Sequence, residues 1–253
     1  MKTCLLCNKP ANSKEHYIPV WLSDQCGTLA VLSVSGLFRN GEQLKIREGG
    51  SFSKARSHLL CAGCNNELGR NLEAPVAEFV TPILRHSVPS LEPILGRDHE
   101  VNLLTQWMCL RALEVDAVLQ SGDLSEQTRV FLRNISIGAR DGHVSVWPLT
   151  LELELAFAKA PSFGFLLSKS FFEPSGNTVQ SKSGGFWLGG CFEHLLLWLG
   201  HTPGAVSARG FGGAGMRLFP APGPDKRGIR TAAAPPAYQN LRDWLQHKSL
   251  TIG

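Results

Sequence analysis

Two Cys-x-x-Cys pairs, Cys4 with Cys7 and Cys61 with Cys64, are the residues whose type and spacing point most directly to chemistry. A Cys-x-x-Cys turn presents two thiolates to one ion. Two such turns supply the tetrahedral four-sulfur set of a closed, structural zinc site. The rival chemistry is thiol–disulfide exchange, which needs only one pair. Cys26, Cys109 and Cys191 have no partner at ligand spacing, and Cys109 lies in a helical stretch and reads as core. Between the pairs, residues 14–22 read Lys-Glu-His-Tyr-Ile-Pro-Val-Trp-Leu, with His16 at their centre. Imidazole is the side chain that trades protons near neutral pH, so His16 is a candidate general base. The plainer reading is a histidine that hydrogen-bonds backbone beside a turn.

A second Cys-x-x-Cys that opens a helix is the layout of a treble-clef zinc module, which serves both as a binding scaffold and as the frame of an active site. Glu15-His16-Tyr17-Ile18-Pro19, followed by Cys61-Ala62-Gly63-Cys64-Asn65, resembles the HNH endonucleases, the ββα-metal nucleases. The version with Lys-Glu-His-x-Ile-Pro-x-Trp-Leu, and Cys-Asn-Asn after the second pair, looks like a bacterial and phage branch of that family. The resemblance covers roughly residues 4–80.

The resemblance implies a role for each matching position. His16 would strip a proton from the attacking water. Glu15 and Asn65 would hold a catalytic Mg2+ or Mn2+ ion, the oxygen-ligand kind of ion that stabilises charge as a phosphodiester breaks. The zinc on Cys4, Cys7, Cys61 and Cys64 would be structural. Two positions depart from the family. Glu15 is one methylene longer than the usual Asp. Arg56 stands about nine residues before Asn65, where the family has a bracing Asn. His58 is a candidate replacement for that Asn, or else a packed or exposed histidine. Glu73, two helical turns past Asn65, is a candidate further carboxylate, or else a surface glutamate.

The implied activity is metal-dependent hydrolysis of nucleic acid, DNA in the first place, in a setting such as phage defence or a mobile element. Lys14, Lys54 and Arg56, with Lys9, would contact phosphates; such contacts position a backbone without reading its sequence. The alternative is a catalytically inactive treble clef that docks nucleic acid or a protein partner.

Composition agrees without adding detail. The chain has 253 residues, 43% of them hydrophobic, enough for one large domain or two smaller ones. Net charge is +4. Counting Lys and Arg against Asp and Glu, residues 1–60 carry +4, 61–120 carry −4, 121–200 carry −1 and 201–253 carry +5. Basic ends brought together would face phosphate; equally, they can be ordinary solvated surface. The opening Met-Lys-Thr-Cys lacks the apolar stretch of an export signal, and no run of 18 apolar residues occurs. A cytoplasmic protein without a membrane partner is therefore expected. The glycine-rich residues 210–215 lack the Lys-Ser/Thr of a phosphate loop.

The elements that must position these residues follow from periodicity. The fold class expected is α+β: an N-terminal zinc-stapled ββα-metal (treble-clef) core over residues 1–80, and a larger mixed helical and antiparallel-sheet accessory domain over 81–253, open to a protein partner. Residues 14–21 read as extended, since Pro19 forbids a central helix position. Residues 24–50 read as an inserted β-hairpin around Asn40-Gly41. A helix should start at the second cysteine pair and run towards residue 80, weakened by Gly69 and Pro75. Residues 81–98 read as a linker with a helical turn or two, and 101–119 as the clearest helix. Asp123 with Glu126 suggests a capping box for a helix to about residue 134. Strands are expected at 143–147, 151–157 and 163–172, with 186–199 ambiguous between strand and helix. Loop with a strand or two should follow over 200–228, and a terminal helix around 238–245.

Overall fold

A computed structural model describes residues 2–16, 18–25, 38–39, 42–43, 56–85, 97–119, 124–138, 149–155, 163–168, 171–175, 178–182, 186–192, 195–201 and 216–219. Within them the chain is α+β, mixing helices with a small antiparallel sheet.

The N-terminal third is built from short pieces. Strand β1 (Glu15–His16) pairs antiparallel with a strand 40 residues later in the chain. Between them, β2 (Phe38–Arg39) and β3 (Glu42–Gln43) pair as the Asn40-Gly41 signal requires, Arg39 opposite Glu42. The partner of β1 is β4 (Arg56–Ser57), with Glu15 opposite Ser57 and His16 opposite Arg56. Residues 20–21, expected to be extended, instead begin helix α1 (Val20–Gln25). The reason is Pro19. Its missing N–H costs nothing at a helix start, and its carbonyl accepts from Leu22 and Ser23 at 3.0 and 3.1 Å.

The helix at the second cysteine pair is present, but it changes pitch. Helix α2 (Ala62–Leu68) passes through a π turn (Gly69–Glu73) into α3 (Ala74–Arg85). The Ala74 N–H donates to Gly69 O, five residues back. Pro75 explains the widening: it has no N–H for an α-type bond, and its ring crowds the carbonyl four residues earlier. The boundary expected at residue 80 falls inside α3. Residues 86–96 of the expected linker lie outside the described residues.

Helix α4 (Asp98–Leu119) is the centre of the molecule. Leu104, Trp107, Met108, Cys109, Leu110 and Ala112 are fully buried, and the polar Thr105, Arg111, Glu114 and Asp116 are buried with them. From Trp107 to Asp116 every residue is buried, so this part of the helix lies inside the core. Helix α5 (Glu126–Ser136) packs along α4. Its cap is Ser125, whose hydroxyl accepts from Thr128 N at 3.1 Å, and not the expected Asp123.

The C-terminal part supplies the sheet. Its strands are β5 (Leu149–Leu155), β6 (Phe163–Ser168), β9 (Phe186–Phe192), β10 (Leu195–His201) and β11 (Met216–Phe219), in the order β11-β5-β10-β9-β6. A separate pair, β7 (Phe171–Ser175) and β8 (Thr178–Lys182), closes on Ser175 opposite Thr178. The single strand expected over 163–172 is thus divided between β6 and β7. The ambiguous stretch is two strands, Leu195 opposite Phe192 and Leu199 opposite Leu188. Leu195, Leu197 and Leu199 alternate on β10 and are buried, the period of two that places one face of a sheet on a core. Helix α4 packs against β6, β10 and β11. Buried residues of the cysteine region, including Ile18, Leu22, Leu60 and Leu72, join α4 and the sheet in one core. The expected strand at 143–147 and the terminal helix at 238–245 lie outside the described residues. No helix among the described residues is long and apolar enough to cross a membrane.

Candidate metal centre and the residues around it

The first cysteine turn is closed by local backbone bonds. Cys4 N donates to Lys9 O at 2.7 Å, and Thr3 bridges Pro10. Asn8 takes φ 60, the left-handed region that Asn tolerates better than most side chains. The second turn is the start of α2. Cys61 is extended, with ψ 158, and its sulfur accepts from Cys64 N at 3.5 Å. Asn12, from the loop after the first turn, accepts from Ala62 N at 3.0 Å and so caps α2 from outside.

Three further bonds bring the two turns together: Leu5 N to Leu59 O at 2.9 Å, Ser13 N to Leu60 O at 3.1 Å and Ser13 Oγ to Leu60 O at 2.9 Å. The outcome is that the sulfurs of Cys4, Cys7, Cys61 and Cys64 all lie within 4.8 Å of one another. The Cys7 and Cys61 sulfurs are 3.5 Å apart, far beyond a disulfide of about 2.05 Å. Zinc at about 2.3 Å from each sulfur needs tetrahedral edges of roughly 3.8 Å, so the four thiols fit zinc. Among the described residues no other three His, Cys, Asp or Glu side chains converge in this way.

The surroundings set two of the thiols apart. The Cys64 backbone N–H pushes the Cys61 thiol down from 9.0 to about 7, against burial, with smaller help from Cys7, Cys64 and Cys4. Burial pushes the Cys64 thiol up, and its contacts with Cys7, Cys61 and Cys4 add to this. The N–H that holds the Cys61 thiol down belongs to the first turn of α2. Cys109 is buried on α4, and burial pushes its thiol up; it is core.

Glu15 lies beside the cysteines but faces the protein. It is 7% exposed. Its Oε1 accepts from Leu59 N, from Leu60 N at 3.1 Å and from Ser57 Oγ at 3.1 Å, while Oε2 shares the single Ser13 hydroxyl proton with Leu60 O. Both oxygens are thus engaged by protein donors, and the carboxylate does not fit the ion ligand implied at its position. His16, next along β1, is half-buried, and its cross-strand neighbour is Arg56. Asn65 is half-buried in the first turn of α2. Lys14 and His58 are exposed. Lys54 and the Arg56 side chain lie outside what is described.

Glu73 points elsewhere. Its carboxylate accepts from Arg111 Nη2 at 2.9 Å, and Arg111 Nη1 lies 2.9 Å from Glu114. The guanidinium also sits over the Trp107 ring, 5.6 Å from its centroid, and Trp107 packs on Trp21 at 5.8 Å. Burial pushes the Glu114 carboxyl up from 4.5 to about 8; Arg111 pulls it down, and Glu73 and Glu15 push it up.

Sequence reasoning missed Ser13, Ser57, Asn12 and Arg111. The Asn in a Pro-x-Asn turn is a recognisable cap signal, but its helix lies 50 residues on. The two serines carry no signal in spacing at all. Comparison with family models, with curated proteins and with solved structures finds no match for this chain.

Proposed function

We propose that the chain is a zinc-stabilised nuclease of the HNH kind, hydrolysing phosphodiester bonds in nucleic acid, DNA in the first place. One observation carries the reading: the ordered run from His16 on β1, through its partner β4, into the cysteine turn and α2 with Asn65 in its first turn. This β-β-α order is the one the ββα-metal (treble-clef) layout calls for. The four-cysteine set gives the scaffold, with no part in the chemistry.

In this reading His16 takes the proton of a water that attacks phosphorus, and the bond to the 3′ oxygen breaks as the new bond forms. Its half-buried position on a paired strand restricts the ring while leaving it reachable. Lys14, exposed next to Glu15, is available to a phosphate. A Mg2+ or Mn2+ ion at such a site supplies charge stabilisation. Glu15 is not free to hold it, so no step is assigned to it.

The second reading, a treble clef that binds nucleic acid or protein without cutting, is favoured by that enclosure of Glu15 and by Arg56 opposite His16. Plasmid DNA incubated with the protein and Mg2+ or Mn2+, beside His16→Ala, separates the two. Nicking lost in His16→Ala supports the nuclease. Equal nicking by both proteins, or none by either across several metals, leaves the binding module.

A further inference from the structure

We propose that Glu15 is a positioning residue, a carboxylate that joins the His16 strand to the zinc turn, and not a ligand of a second ion. The proposal deepens the nuclease reading and depends on it only for the role of His16. Glu15 is buried and spends one oxygen on three donors, Ser57 Oγ, Leu59 N and Leu60 N, and the other on Ser13 Oγ. Those partners bracket both sides of the zinc site. Ser13 follows the first cysteine turn, and Leu60 is the residue before Cys61. Ser57 stands opposite Glu15 in the ladder, and His16 is the next rung.

Two successive backbone N–H groups, at Leu59 and Leu60, aim at the same oxygen. A concave pair of amides of this kind is a fixed anion site, and here the anion is the protein's own carboxylate. Left without it, both amides would be buried and unpaired, at a cost larger than the bonds contribute when formed. The turn that delivers the Cys61 thiol would then lose its shape, and β4 would lose its hold on β1. Zinc retention and the setting of His16 are therefore coupled through one side chain.

Two conservative substitutions make opposite demands. In Glu15→Gln, the amide oxygen keeps the place that accepts from Ser57, Leu59 and Leu60. Its NH2 donates to Ser13 Oγ, whose own proton goes to Leu60 O, already at 2.9 Å. The brace survives. In Glu15→Asp, the carboxylate retreats by roughly 1.5 Å and the two amides lose it. An ion ligand would behave in reverse: Asp would serve and Gln would not, since a hard cation needs the charge.

The experiment measures zinc release to a chromogenic chelator, the d–d spectrum of the Co2+-substituted protein and Mn2+ binding by electron paramagnetic resonance, for the wild type and both variants. The expected result is zinc release within about twofold of wild type in Glu15→Gln and about tenfold or more faster in Glu15→Asp, the scale typical of groups that support metal ligands. The Co2+ spectrum should change in Glu15→Asp alone. Mn2+ binding should not depend on the charge at position 15. The reverse zinc order, equal loss in both variants, or no loss in either overturns the proposal. Plasmid nicking by the wild type is scored separately. Its absence removes the nuclease reading, while the order of zinc release still decides the role of Glu15.

Discussion

Arg111 on α4 donates to the Glu73 carboxylate at 2.9 Å, tying the π turn beyond the second cysteine pair to the centre of the core. The guanidinium side chain is 4% exposed and Glu114, its other partner, 3%. Removing Arg111 takes its donor from Glu114, which stays buried and keeps its proton at neutral pH, at about 1–3 kcal/mol for an acceptor left unpaired. Arg111→Met should therefore lower the thermal midpoint sharply. Glu73→Gln removes a carboxylate that water already reaches, and should cost about 1 kcal/mol or less. Thermal unfolding of both variants at neutral pH checks the ranking.

Glu114 makes stability depend on pH. Burial raises its folded-state pKa from 4.5 to about 8, so between those values the folded chain holds a proton that the unfolded chain releases. Stability from this group is full below 4.5 and is lost as pH rises towards about 8, with a slope of at most about 1.4 kcal/mol per pH unit. Glu114→Gln should flatten the decline of the midpoint over this window. Glu73→Gln removes a neighbour that raises the Glu114 pKa, so it should move the window to lower pH. Unfolding curves at several pH values, read as variant against wild type, give both results.

The cysteine set should hold a single zinc ion per chain, lost in Cys64→Ser or Cys61→Ser and retained in Cys109→Ser. Elemental analysis of the purified proteins measures this. Since Cys4, Leu6, Leu60 and Cys61 are part of the common core, a strong chelator should also lower the thermal midpoint, because binding energy at a structural zinc is folding energy.

Asn12 caps α2 across a gap of 50 residues. Asn12→Ala should destabilise by about 1 kcal/mol, the usual cost of a lost helix cap. Because the cap meets the chain at Ala62, between two ligands, zinc release should quicken as well. A destabilised variant with unchanged zinc release would show that the cap acts on the helix alone.

Much of the architecture was written in local pattern. The α4 and α5 helices, the strands near residues 150 and 165 and the hairpin across residues 40–41 follow from apolar period and turn chemistry within a few residues. The places where pattern went astray share a cause. Pro19 reads as a helix breaker, yet it starts α1, because a missing N–H matters inside a helix and not at its first turn. Asp123 with Glu126 matches the capping-box spacing, but Ser125 is the residue whose hydroxyl accepts from Thr128 N. Residues 186–199 are apolar enough for either helix or strand, and pairing with β5 and β6 made them strands.

The sequence by itself determined the cysteine set, since ligand type and turn spacing are local properties that two thiolates carry wherever they are placed. It also marked His16, Glu15 and Asn65 as chemically capable. Only the tertiary structure decided which donors Glu15 faces. A carboxylate looks the same in sequence whether it faces an ion or a pair of backbone amides. The donors that claim it lie 42 to 45 residues away at Ser57, Leu59 and Leu60. The same holds for Glu73, which the spacing put near Asn65 and which the π turn and α4 gave to Arg111. Burial and partner choice are set by contacts between distant segments, and those come into being only when the chain has folded.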